Sequence, residues 1–283
     1  MATVLDSHFL ALTAIVTLGY QIFFFIITAL LKFDKVTDFA GSTNFVIIAV
    51  LTLIIKGSWH FRQVLTHFRG SLKLIYTVLA PPVCSIDFAC GNMGATLGNF
   101  SIDEAVWVWT VTLPVTVVNA SDRDPSVQAE DIIGWIMWSV GISFEAAADQ
   151  QKLSFKNSPE NRGKWCNVGV WKYSRHPNYF GEIFLWWGIF VASTPILEGA
   201  EWLVILGPIF LTLLLLFVSG LPLLEESADK KFGNVAAYRI YKETTRILQW
   251  GEDRRFDEMR SNLGKLAVFW IFQRSLPPEG LNW

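Results

Sequence analysis

The sequence predicts an all-α protein, a polytopic transmembrane helical bundle with about six spans. Of its 283 residues, 52% are hydrophobic and only 17% are charged, whereas soluble domains carry about 25% charged residues. The mean hydropathy is +0.37, and several apolar runs approach the length that crosses a bilayer. The net charge of −2 and the lack of a basic surface pattern argue against a nucleic-acid partner.

The first element is a pair of transmembrane helices within residues 1–69. Residues 9–31 contain no charged side chain, and a run of this length crosses a hydrocarbon core of about 30 Å. Residues 45–55 form a shorter apolar run that ends at Lys56. A lysine at a helix end can extend its ammonium to the interface, so this run can also span.

Residues 70–104 form an irregular, pattern-poor insert. They are rich in Pro, Gly and small side chains and show no helical periodicity. We therefore expect a loop that does not cross the membrane.

Residues 105–245 form the predicted catalytic core, and residues 246–283 a charged C-terminal tail. The core holds four apolar runs, which we expect to form two helical hairpins, at 105–120, 132–148, 179–192 and 202–221. Lys and Arg concentrate in residues 56–73, 149–176 and 229–260. The positive-inside rule predicts that these three segments and the N-terminus are cytosolic.

The loop of residues 149–176 is the first candidate for a binding site. It carries six cations against two carboxylates, and it ends where the sequence WKYSRHPNYFGE enters an apolar helix. The free N–H groups of a helix N-terminus favour an anion, and Arg offers planar donors for phosphate. The pattern fits a pyrophosphate-containing ligand, although a positive-inside bias alone also explains the charge.

A second polar cluster follows the last apolar run. Glu225 and Glu226 lie at the expected membrane boundary, where uncompensated carboxylates are costly. One of them can face the basic loop and orient an arginine, or both can be solvated. Tyr238 and Tyr241 are three residues apart, on one helical face. The sequence shows no metal-binding motif and no GxGxxG motif.

The residues GVWKYSRHPNYFGE, followed by an apolar hairpin and then LLEESADKKFG and YRIYKE, resemble the core of a membrane family of unknown function (DUF1295). That family is related to the C-terminal domain of steroid 5α-reductases and to sterol C14 reductases, and more distantly to isoprenylcysteine carboxyl methyltransferases. The resemblance covers residues 105–245 well, and residues 1–62 as a pair of family-like helices.

The resemblance implies an NADPH-dependent reductase of a polarised C=C bond in a lipid or steroid-like substrate. It also implies an endoplasmic reticulum membrane, with the cofactor loop in the cytosol and no obligate protein partner. The implied catalytic residues are Tyr179, Glu225 and Tyr238. The implied cofactor-binding residues are Lys152, Trp171, Arg175, His176, Asn178, Tyr179, Glu182 and Glu225.

Two alternatives stay open. A membrane methyltransferase that uses S-adenosylmethionine would share the same core, but its methyl donor carries no phosphate and needs less positive charge. Residues 246–273 also resemble a segment that precedes the AVWVWTV helix in such relatives. This displacement suggests an inactive, rearranged family member with seams near Gly70, Glu104 and Thr245.

Overall fold

The computed structural model describes four stretches of the chain, residues 6–31, 35–64, 97–218 and 220–245. Within them the protein is helical and contains no β-strand, as the sequence predicts. The helices are α1 Leu10–Leu31, α2 Lys35–Lys56, α3 Leu97–Val111, α4 Leu113–Ala120, α5 Ala129–Asn157, α6 Pro177–Ser193, α7 Leu206–Leu213, α8 Leu221–Phe232 and α9 Ala236–Thr244. Short 3-10 turns precede α6 and α7, and a π-helical segment, Leu214–Val218, follows α7.

Two helical stretches among the described residues are long and apolar enough to cross a membrane. They are Leu10–Thr28, with 19 residues, and Gly199–Phe232, with 34 residues. Only 17% of the apolar window in the first stretch is buried, and side chains such as Ile15 and Phe23 are exposed on its outer face. The other predicted spans stay predictions.

Glycines bring α5 and α6 into close antiparallel contact. Gly134 lies against Gly188, and Gly141 lies against Gly181. A methyl group at Gly141 would stand 2.7 Å from the carbonyl oxygen of Gly181, inside van der Waals contact. The absence of side chains at these four positions therefore lets the two backbones touch, as in tightly packed membrane helices.

Helices α1, α2 and α3 pack together through polar and aromatic contacts. Tyr20 and Thr43 share a hydrogen bond of 2.6 Å between α1 and α2, and the rings of Phe45 and Trp107 meet edge to face. Asn44 is fully buried, yet neither polar atom of its side chain hydrogen-bonds within the described residues. Polar side chains thus form part of this interface, as is common between packed membrane helices.

The ion pairs of the chain define one end of the bundle, which we call the acidic end: residues 6–9, 56–64, 121–131 and 194–205. Lys56 pairs with Asp122 at 2.8 Å, and Arg123 pairs with Glu201. Seven carboxylates and three Lys or Arg residues lie in these segments. The opposite end, which we call the basic end, comprises residues 149–176 and 220–245 and carries ten cations against six carboxylates.

A buried ion pair joins residues 56–64 to residues 121–131 at the acidic end. Arg62 donates two hydrogen bonds of 2.6 Å to Asp131, one to each carboxylate oxygen. Both side chains are almost inaccessible to solvent. Asp131 also caps the first turn of α5 by accepting a bond from the backbone N–H of Gln128. This geometry is bidentate, so it fixes orientation as well as charge.

The positions of residues 56–64 and of the N-terminal residues 6–9 differ from the sequence prediction. The prediction placed residues 56–73 and the N-terminus on the same side as residues 149–176. The contacts of Lys56 and Arg62 instead place them beside residues 121–131, and His8 contacts Glu201 at the same end. Helix α5 leads from Asp131 at that end to Asp149 at the start of the basic loop over 18 residues, about 27 Å of helix. Charge counting cannot detect that carboxylates from another loop neutralise these cations.

Element boundaries also differ. Helix α3 begins at Leu97, eight residues before the predicted start at Ala105, so residues 97–104 are helical and not loop. Helix α5 continues to Asn157, past the predicted end at residue 148, because a polar amphipathic stretch extends the apolar run. The remainder of the predicted insert, residues 70–96, and the tail of residues 246–283 lie outside the described residues.

Candidate functional site

Arg175 forms the centre of the polar cluster at the basic end. Its Nε donates to Glu225 Oε1 at 3.0 Å, and its Nη1 donates to the carbonyl oxygens of Lys242, at 2.6 Å, and Thr245. One guanidinium thus joins the loop before α6 to the N-terminal half of α8 and to the end of α9. Its carbonyl partners lie at a helix C-terminus, where cations are favoured.

His176 is the N-cap residue of α6, and its side chain is buried. Its Nε2 lies 2.7 Å from Glu225 Oε1. A neutral ring therefore carries its proton on Nε2 and donates a hydrogen bond from there to the carboxylate. Burial holds the pKa of His176 below its usual value, although the Glu225 charge opposes this shift. The ring of Tyr179 stacks on His176, with ring centroids 5.8 Å apart.

Glu225 accepts hydrogen bonds from both Arg175 and His176. Lys242 Nζ stands 3.5 Å from its other oxygen and also binds Asp229. The neighbouring Glu226 is exposed and pairs with Lys230 one turn away. The helix therefore separates the two glutamates predicted as alternatives, and Glu225 is the one that faces the basic loop.

Trp171 lies in the 3-10 turn that leads to Arg175. Its Nε1 donates to the carbonyl of Ala148 at 2.7 Å, and Lys152 Nζ stands 5.0 Å from the centre of its ring. Tyr241 donates its hydroxyl to the Trp171 carbonyl at 2.7 Å. These contacts fix the basic loop against α5 on one side and α9 on the other.

Tyr238 belongs to an aromatic group that adjoins the cluster. Its ring contacts Trp165, at 5.3 Å between centroids, and Phe232, at 5.6 Å. Burial raises the pKa of Tyr238 to about 12, and the charges of Glu225 and Asp229 act in the same direction. The hydroxyl therefore keeps its proton at neutral pH and can act as a donor.

The structure brings together most of the residues predicted for the site. Arg175, His176, Tyr179 and Glu225 form one contiguous cluster, with Trp171, Lys152 and Tyr238 around it. Asn178 is buried in the first turn of α6. Glu182 accepts a bond of 2.8 Å from Trp186 Nε1, one turn further along the helix.

Sequence reasoning missed three contributors. Lys242 and Asp229 flank Glu225, and Trp165 contacts Tyr238. The spacing of four residues between Glu225 and Asp229 could have indicated Asp229, which lies one helical turn after Glu225. Nothing in the local sequence pattern links Lys242 or Trp165 to the cluster, because both residues reach it only through tertiary contacts.

The basic loop presents further cations that solvent can reach. Arg162, Lys164 and Lys172 are exposed, whereas the Arg175 side chain is only 10% exposed. Phosphate groups are therefore more accessible to the first three side chains than to Arg175. No group of three or more His, Cys, Asp or Glu side chains with metal-binding geometry occurs in the part of the chain that the structure describes.

The described fold and site define a class: an all-helical protein with helices long and apolar enough to cross a membrane and a buried Arg–Glu–His cluster beside a basic loop. A comparison with family models then assigns the chain to one family. The model of a family described as proteins of unknown function (DUF1295) matches residues 24–74 and 91–245, and the chain belongs to this family. No curated protein and no solved structure matches the chain.

The extent of the family match bears on the predicted seams. The match runs without interruption through residue 104 and ends at residue 245. The matched region leaves out residues 75–90 and 246–283. The hypothesis of a rearranged chain stays a hypothesis.

Proposed function

We propose that this protein is an integral membrane reductase that uses NADPH to reduce a polarised C=C bond in a lipid or steroid-like substrate. The observation that carries the proposal is the Arg175–Glu225–His176 cluster. It is buried, yet it adjoins an exposed basic loop on one side and an apolar helical hairpin on the other. An anionic cofactor and an apolar substrate can approach such a place from opposite directions.

The proposed topology has about six described or partly described helices crossing the bilayer, with the basic end in the cytosol. The net charges of the two ends support this orientation, since the basic end carries an excess of four cations and the acidic end an excess of four carboxylates. The endoplasmic reticulum is proposed from the family resemblance.

The residues at the basic end fit a phosphate-rich cofactor. Arg162, Lys164 and Lys172 offer exposed cations for the phosphates, while Trp171 and Tyr179 offer rings of the kind that flank planar groups. Bound NADPH would supply the hydride. The protein would bind and orient the cofactor and exclude water from the reacting groups.

The hydrogen bonds suggest a division of roles among the predicted catalytic residues. Glu225 is engaged by Arg175 and His176, which suits a carboxylate that orients its partners and not one that supplies a proton. Tyr238, with its raised pKa, keeps its proton, and Tyr179 stacks on His176. Either hydroxyl can polarise a carbonyl on the substrate as negative charge develops there.

The test is protection of the purified full chain against thermal unfolding by NADPH, with NADH and S-adenosylmethionine run in parallel. We expect NADPH to protect more strongly than NADH, because only NADPH carries the 2′-phosphate. Replacing Arg162, Lys164 and Lys172 together by Gln should remove most of this difference. All three are exposed, so the variant should still fold.

A pair of neighbouring glutamates gives a matched control. Glu225→Gln should weaken protection by NADPH, whereas Glu226→Gln should not, since Glu226 is exposed and pairs only locally. Protection by S-adenosylmethionine alone would favour the methyltransferase. A folded chain that none of the three compounds protects would contradict both enzymes and would match an inactive family member.

A further inference from the structure

The acidic end contains a cavity that the proposed reductase does not use. It has a volume of about 220 Å³, below the roughly 300–1,000 Å³ of pockets that hold whole drug-sized ligands. Phe61, Trp135, Pro125 and Val127 form its apolar walls, and Asp124 and the Arg62–Asp131 pair contribute its charges. Its size suits one small polar head and not an entire lipid or cofactor.

The charges of the cavity favour a cation. Arg62 and Asp131 neutralise each other in a bidentate, buried pair, so they contribute little net charge. Asp124 stays accessible, with 44% of its side chain exposed, and its contact with His60 Nδ1 is 3.1 Å. The surrounding segments carry an excess of four carboxylates. An anionic head would therefore be repelled, and a cationic one attracted.

The aromatic walls favour a cation that also carries apolar surface. The rings of Phe61 and Trp135 meet edge to face, with centroids 5.7 Å apart. Aromatic faces bind quaternary and alkylated ammonium groups through cation–π attraction.

The cavity also lies where phospholipid headgroups would be. Trp59 is 64% exposed and Trp202 is 47% exposed at the same end, and tryptophans of membrane proteins concentrate at the boundary between lipid and water. Phe61 itself is exposed at the cavity mouth. A headgroup could thus enter the cavity while its acyl chains remain beside the outer faces of the helices.

We propose that this cavity binds the alkylammonium headgroup of a zwitterionic membrane phospholipid. Asp124 attracts the ammonium group, Phe61 and Trp135 pack against its methyl or methylene surface, and the Arg62–Asp131 pair forms a rigid neutral floor. This site is separate from the cluster at the basic end, so the proposal does not depend on the reductase function.

The experiment measures which phospholipid the full chain retains. The protein is placed in nanodiscs of phosphatidylcholine or of phosphatidylglycerol with the same acyl chains, released with mild detergent, and weighed by native mass spectrometry. We expect retention of about one phosphatidylcholine per chain and no comparable retention of phosphatidylglycerol. Trp135→Leu and Asp124→Asn should each lower this retention about fivefold, the equivalent of about 1 kcal/mol.

Two matched controls come from the same end of the bundle. Trp59→Leu removes an exposed tryptophan, and Asp122→Asn removes a carboxylate that pairs with Lys56; neither residue lines the cavity. Both should retain phosphatidylcholine like the wild type. Thermal unfolding of each variant checks folding, and Asp124→Asn keeps the test usable if Trp135→Leu is unstable, because Asp124 is partly exposed.

Three outcomes would overturn the proposal. Equal retention in the cavity variants and the controls would show that the lipid binds elsewhere. Equal retention of phosphatidylglycerol would show that the ammonium group is not recognised. Soluble choline that binds as tightly as the lipid, with the same dependence on Trp135 and Asp124, would identify the ligand as a free cation and not a membrane lipid.

Discussion

Replacing Gly141 by Ala should destabilise the protein markedly, because this glycine lies where α5 and α6 touch. The new methyl carbon would stand 2.7 Å from both the Gly181 carbonyl oxygen and the Leu185 backbone nitrogen, and 2.8 Å from the Leu185 Cβ. Two of these three atoms belong to the backbone of α6, so a change of side-chain rotamer cannot relieve the clash. The helices have to separate.

The expected size of the effect follows from overpacking. Forcing an extra methyl group into a packed interface costs about 1–3 kcal/mol. The unfolding midpoint should therefore fall by about 2–12 °C, at about 2–4 °C for each kcal/mol in a chain of this size. The assay is thermal unfolding of the purified protein in detergent, followed by circular dichroism and repeated at two heating rates.

Gly19 supplies the control, since it lies within α1 and a methyl group there would meet no atom within 4 Å. Gly19→Ala should leave the midpoint unchanged or raise it, because Ala favours helix over Gly by up to about 1 kcal/mol. If Gly141→Ala were as stable as Gly19→Ala, the close approach of α5 and α6 would be refuted.

Three further predictions concern the buried polar groups. Arg62→Ala should lower the free energy of unfolding by about 3–5 kcal/mol, because it leaves Asp131 buried and unpaired. The double variant Arg62→Met with Asp131→Leu should lose less stability. Chemical unfolding of both variants measures the difference, and equal losses would contradict the pairing. The pKa of His176 is lowered in the folded state from 6.5, so stability should be complete above about pH 6.5 and fall as the pH drops below it. The His176→Gln variant should not show this loss of stability at low pH. If its stability depended on pH as in the wild type, another group would be responsible. Tyr241→Phe removes the bond to the Trp171 carbonyl and should cost about 1 kcal/mol, seen as a lower unfolding midpoint; no change would show that this bond does not hold the loop.

The predicted elements confirmed by the structure are those with a strong local signal. The uncharged run of residues 9–31 became α1, and the apolar run after WKYSRHPNYF became α6, because a long apolar segment can satisfy its backbone only as a helix when it is removed from water. Pro177 lies in the first turn of α6, as its missing N–H would suggest. Boundaries were less accurate, since α3 and α5 both continue into polar sequence.

The candidate site was predictable in its composition but not in its connections. The polar residues before α6 and Glu225 after the last apolar run predict two polar clusters at the ends of apolar helices. The sequence could not show that Arg175 also binds the carbonyls of Lys242 and Thr245. Nor could it show that Arg62 pairs with Asp131 across 69 positions, because long-range pairing leaves no periodic trace.

A reading of the amino-acid sequence is enough to predict a helical protein whose helices suit a membrane and whose polar residues collect at the ends of apolar runs. Those properties follow from local hydropathy and backbone hydrogen bonding. The three-dimensional packing was needed to show which cations stay available for a ligand and which are neutralised within the protein. The physical reason is that a charge acts through its neighbours in space, and Lys56 and Arg62, basic in sequence, lie at the acidic end.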